Sequence, residues 1–64
     1  MHVATALVGT SKYLVYAEGG AFNVYQEEGP EGCEYLVFIT RCSSRREVSE
    51  FFQMLKAESY ESTL

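Results

Sequence analysis

The sequence has no aspartate and no tryptophan, a single proline and a single histidine among its 64 residues. Without aspartate, chemistry that sets a carboxylate against a histidine has only glutamate to draw on. The lone His2 stands at a chain end, where order is usually poorest. Cys33, Cys42 and His2 do not follow a metal-ligand spacing. Gly19-Gly20 lacks the helix and lysine that would follow in a phosphate-binding loop. The chain is therefore expected to be non-enzymatic, with no metal and no cofactor. No apolar run approaches the roughly 18 residues of a membrane span. No basic segment leads into a long apolar stretch as a secretion signal would. Membrane association is not expected.

Cysteine is also scarce, and its two copies bracket Glu34–Arg41, which reads as one strand. Nine residues at about 3.3 Å each hold Cys33 and Cys42 roughly 30 Å apart, beyond the ~7 Å Cα separation that a disulfide tolerates. Two thiols that cannot pair within the chain are expected to be reduced, which fits a cytoplasmic setting. Cys42 lies beside Arg41 just ahead of a helix start, a position that can activate a thiol. At a strand end, though, a small buried apolar residue is the leading expectation.

What remains is rich in apolar residues, at 47%, with nine aromatics between five tyrosines and four phenylalanines. A chain this short buries only about 60% of the surface its unfolded form exposes. That apolar content exceeds what one small core hides, so a second buried surface is expected.

Hydrophobic patterning gives four strands and a helix. Val3–Val8 is apolar and partly β-branched and is followed by the turn residues Gly9-Thr10-Ser11. Tyr13–Glu18 and Ala21–Gln26 flank Gly19-Gly20, the pairing of β-prone runs and glycines that marks a tight hairpin. With the two glycines as the loop, Val15, Ala17, Phe22 and Val24 share one face. Leu14, Tyr16, Asn23 and Tyr25 share the other. Aliphatic side chains suit a packed helix, whereas tyrosines keep hydroxyls that reach water. Glu27–Glu34, with Gly29-Pro30 and Gly32, reads as a loop. Tyr35–Thr40 is apolar on both faces, as in a central strand or one covered on both sides.

The helix is predicted over Arg45–Ala57. Ser44-Arg45-Arg46-Glu47 fits a capping box, in which the Ser44 hydroxyl accepts from the Glu47 amide and the Glu47 side chain reaches back. Val48, Phe51, Phe52 and Leu55 then form one apolar stripe. Residues 58–64 are polar and are expected to fray, with Tyr60 as the only anchor. Their last four, Glu61-Ser62-Thr63-Leu64, match loosely a carboxylate-capture ligand of the PDZ type. The fold expected is α+β within one small domain, residues 1–64: a four-stranded antiparallel meander with one C-terminal helix packed on one face.

Charge is organised by position. The net charge is −4, from nine glutamates against five basic residues. Glu27, Glu28, Glu31 and Glu34 crowd the loop before the last strand. Arg41, Arg45 and Arg46 crowd the junction of that strand with the helix, although a helix start favours acids. A cluster of this kind suits a phosphate or carboxylate; its structural alternative is pairing with Glu18, Glu47 or Glu50. Leu14, Tyr16 and Tyr25 would form an interface on the uncovered face, and a homodimer is its simplest closure. The leading expectation is a small acidic binding protein that docks on a larger macromolecule through its acidic end, in the manner of inhibitors and accessory factors, viral ones included. A single-stranded nucleic-acid module built on the arginines and the tyrosine face is the alternative, disfavoured by the net charge. A purely structural assembly subunit is the third.

Overall fold

The computed structural model describes residues 1–62, with side chains through residue 58. The chain forms strands β1 (His2–Val8), β2 (Ser11–Glu18), β3 (Ala21–Glu28) and β4 (Tyr35–Cys42), then helix α1 (Arg45–Ser62). All neighbours are antiparallel in the order β1-β2-β3-β4, and the helix lies on one face of the sheet, an α+β fold.

The β2–β3 hairpin has the register that its glycines dictate. Glu18 is opposite Ala21, Val15 opposite Val24 and Leu14 opposite Tyr25. Gly19 and Gly20 take φ of 58° and 77°, the double left-handed turn that matches strand twist and that a side chain would strain. The β1–β2 turn is tighter than three residues, because Val8 already pairs with Ser11. β3 continues through Glu28, opposite Tyr35, so Glu27 and Glu28 belong to a strand and not to the loop. Between Val24 and Tyr25 the β3–β4 register shifts, and Ile39 is left as the extra residue of a bulge.

The core lies between the sheet and α1. Tyr13, Val15, Val24 and Cys42 are buried, and Val8, Phe22, Val48, Phe51, Phe52 and Leu55 pack around them half-exposed. Phe52 meets the Tyr13 ring edge-on at 5.7 Å and Phe51 at 5.4 Å. The apolar stripe of the helix thus faces the aliphatic side of the hairpin.

Two details of the helix depart from expectation. The Ser44 hydroxyl accepts from the Glu47 amide at 3.2 Å, but the Glu47 carboxylate reaches Ser43 instead of Ser44, accepting from its N–H at 2.9 Å and its hydroxyl at 2.6 Å. Ser43 offers two donors to one carboxylate, so it wins. The helix also runs five residues past Ala57, to Ser62; the stretch has no glycine or proline to stop it. The Tyr60 side chain and the end of the C-terminal tetrapeptide lie outside the described residues.

The molecule is flat, with principal extents of 38 × 30 × 14 Å and a radius of gyration of 12.2 Å. A compact chain of this length has a radius near 11 Å. Its accessible surface is 4654 Å², against about 4,100 Å² for a typical monomer of this mass. Among the described residues, one side of the sheet carries no layer.

Candidate interaction surface

Alternation along the strands sends Leu14 and Tyr16 of β2 and Tyr25 of β3 away from the helix. The register adds Thr5 and Leu7 from β1, and Leu36 and Phe38 from β4. The rings form a row across all four strands. His2 lies 5.4 Å from Tyr16, Tyr16 lies 5.5 Å from Tyr25, and Tyr25 lies 5.8 Å from Phe38, centroid to centroid. The last two pairs meet edge to face, the arrangement that ring quadrupoles favour. Tyr16, Glu18, Tyr25 and Leu36 line a shallow depression in this surface. Leu7, Leu36 and Phe38 are exposed.

Sequence reasoning found the middle of this row and missed its ends. His2 is held in place: Ala17 N–H donates to the Met1 carbonyl at 2.8 Å, and the His2 ring nitrogen Nε2 is 2.8 Å from the Thr5 hydroxyl. The strand pairing of β1 starts at His2 itself, which is opposite Tyr16. Phe38 could not be assigned a side, because the loop and the bulge at Ile39 together set the β4 register.

A polar corner closes the row near the hairpin turn. One Glu18 carboxylate oxygen accepts from Asn23 Nδ2 at 3.2 Å and from the Tyr25 hydroxyl at 3.1 Å. Arg41 donates to Asn23 Oδ1 at 3.4 Å and to the Gly19 carbonyl at 3.2 Å. The hydrogen bonds from Asn23 and then Tyr25 hold the Glu18 carboxyl below its usual range. Tyr25 moves the other way: partial loss of water, and then the Glu18 carboxylate, raise its phenol. At the opposite end of the face, Lys12 Nζ lies 3.8 Å from Glu27. Lys12 and Arg41 thus balance Glu18 and Glu27, and the net charge of −4 is carried by the rest of the chain.

The three arginines do not converge. Arg41 is opposite Asn23 and bonds on the open face. Arg45 and Arg46 begin the helix layer on the other side. Arg46 pairs with Glu50 at 3.6 Å within the helix, and Arg45 borders an apolar crevice with Val3, Ala4, Val15, Phe22 and Val48. The acidic residues divide similarly. Glu27 has Lys12, and Glu34 folds back on the loop, where its own backbone N–H and then the Gly32 N–H, donating to it at 3.1 Å, lower its carboxyl. Glu28 and Glu31 make no ion pair among the described residues. Glu28 and Arg41 are separated by the length of β4, about 20 Å at 3.4 Å per residue.

Cys33 and Cys42 are both free, the former exposed and the latter buried. Burial, and then the nearby Glu47 carboxylate, push the Cys42 thiol up, against the activation that its place before a helix would give. Among the described residues, no three His, Cys, Asp or Glu side chains are grouped to hold a metal, and no helix is long and apolar enough to cross a membrane. No family model matches the chain, and comparison with curated proteins and with solved structures finds no match either.

Proposed function

We propose that this chain is a small non-catalytic binding protein that works by occupying a protein surface on a larger cytoplasmic macromolecule. Its contact is the open face, centred on Leu14, Tyr16, Tyr25 and Phe38, and its acidic end orients the approach. The reading rests on one observation above others, the four-ring row left uncovered on a sheet whose opposite face already holds the core. Aromatic rings with hydrogen-bonding tips, ringed by paired charges, match the composition of protein–protein contacts. Glu31 in the loop and Glu28 on the helix side of β3 carry charge at the acidic end outside the contact itself, so reversing them should slow the approach of a basic partner, most at low salt.

A photo-crosslinking aromatic residue in place of Tyr16, with one in place of the exposed Met54 as control, tests this in lysate of the source cells. A single adduct of defined mass with another protein at position 16, absent at position 54, is the expected result. Equal labelling at the two positions would refute the open face as the contact.

The same row supports a second reading, a stacking platform for single-stranded nucleic acid. The Glu18 carboxylate on the Tyr25 hydroxyl and the zero net charge of the face weigh against it, as does the division of the arginines between the two sides. Its signature would be binding that weakens by about one log unit per log unit of salt for each phosphate contacted.

A further inference from the structure

In β4, sequence and position disagree. Tyr35–Thr40 is apolar on both faces, the pattern of a central strand or of one covered on both sides, yet β4 is the last strand of the sheet and, among the described residues, its outer edge is unpaired. Tyr35, Leu36, Phe38 and Ile39 are 57%, 44%, 55% and 36% exposed. Natural edges are usually guarded by lysine, proline or inward-pointing charge. The eight residues of β4 contain no lysine and no proline, their one charge is Arg41 near the far end, and of the usual guards they keep only the bulge at Ile39. β1, the other edge, has small side chains at its centre (Ala4, Thr5, Ala6) and is interrupted by a register shift after His2.

The charges that flank β4 indicate what would pair with it. Glu34 stands immediately before the strand and Arg41 near its end, and within the described residues each bonds only neutral groups, Glu34 the Gly32 N–H and Arg41 the Asn23 side chain and Gly19 carbonyl. A strand laid antiparallel along this edge meets both favourably if its own charges run in the same order, acid first and base last. β4 itself is such a strand.

We propose that the outer edge of β4 pairs antiparallel with β4 of a second copy, about a two-fold axis normal to the sheet, to give a continuous eight-stranded sheet. The Glu34 end of each copy then lies beside the Arg41 end of the other, at two symmetric places. A parallel arrangement would set like charges together. Ile39, the bulged residue, contributes its side chain near the middle of the new seam. The pairing leaves the open faces of both copies exposed on one side of the joined sheet, so it stands independently of the binding role above.

Sedimentation equilibrium of the full chain from micromolar to millimolar concentration, with amide hydrogen exchange at both extremes, tests the proposal. The expected result is a monomer–dimer equilibrium in which outward-facing amides of β4 gain about tenfold or more protection as the dimer fills, while the outer amides of β1 do not change. A monomer throughout, or a dimer that leaves β4 unprotected, overturns it. Charge reversal checks the direction of pairing. Glu34→Lys and Arg41→Glu should each weaken the dimer about tenfold, and the double variant should regain most of the loss. A double variant no tighter than either single one refutes the antiparallel charge match. Exchange on the unaltered chain keeps the test decisive even where the loss of the Arg41 bonds loosens the hairpin.

Discussion

The two faces of this sheet are made by the same strands and differ in almost everything else. On the helix side, neighbouring positions of β2 and β3 place Val15 against Val24, both fully buried. One residue further along each strand, Leu14 faces Tyr25 on the open side, where both are only partly covered. The first pair has no polar atom to satisfy and is held by packing. The second belongs to a row of rings whose hydroxyl and charged neighbours already have partners within the molecule. Residue parity therefore separates what holds the fold together from what the fold presents, and substitutions of equal severity on the two faces should have opposite consequences.

The largest effect expected is from Val24→Asp. It places a carboxylate at a position with no exposed surface in the core cluster, which should cost about 4 kcal/mol or more and leave little folded protein at 37 °C. Tyr16→Ser on the open face should change stability by only about 1 kcal/mol and abolish partner binding. Urea denaturation of both variants decides the matter. If Tyr16→Ser unfolds the chain as readily as Val24→Asp, the open face is core and the separation of roles is wrong.

A narrower contrast uses one residue type. Phe52 packs on Tyr13 beneath the helix, while Phe38 ends the row at the sheet edge. Phe52→Ala should cost about 3 kcal/mol through lost burial and the cavity left behind. Phe38→Ala should cost about 1 kcal/mol. Equal shifts in the urea midpoint would mean that Phe38 is covered in solution, as it would be inside an assembly.

How far this contrast was legible in the sequence depended on which signal set each register. The glycine pair fixed the β2–β3 pairing outright, because only one turn geometry suits two consecutive left-handed residues, and both faces of the hairpin followed. Serine, glutamate and the Val48-Phe51-Phe52-Leu55 spacing located the helix start and its buried side. β4 was different. Nothing in Tyr35–Thr40 marks Ile39 as the bulged residue, since a bulge arises from the fit between two strands and not from either alone. Hence Phe38 could not be placed in the row, and Arg41, Arg45 and Arg46, clustered in sequence, could not be seen to part to opposite sides. The helix outruns its predicted end because the apolar stripe stops first and no glycine or proline follows to break the backbone hydrogen bonding.

The smallest effect expected compares one carboxylate from each side. Glu18 on the open face and Glu47 at the helix start are both held below the usual carboxylate range, Glu18 by Asn23 and Tyr25, Glu47 by the hydroxyl and N–H of Ser43. For each, the unfolded chain binds its proton more readily than the folded chain does. Stability therefore rises with pH across that interval. The contribution is complete above the ordinary glutamate value, near 4.3, and is lost as pH falls through the lower, folded value. Both groups are exposed and screened, so the change should be modest. The urea midpoint should fall as the solution is acidified from neutrality, and it should fall less steeply in Glu47→Gln and in Glu18→Gln, with all three chains converging at the acid end. If Glu47→Gln keeps the full acid slope, the Ser43 bonds do not persist in solution. If Glu18→Gln keeps it while Glu47→Gln flattens it, the polar corner of the open face is loose and the Tyr25 ring is free to turn toward a partner.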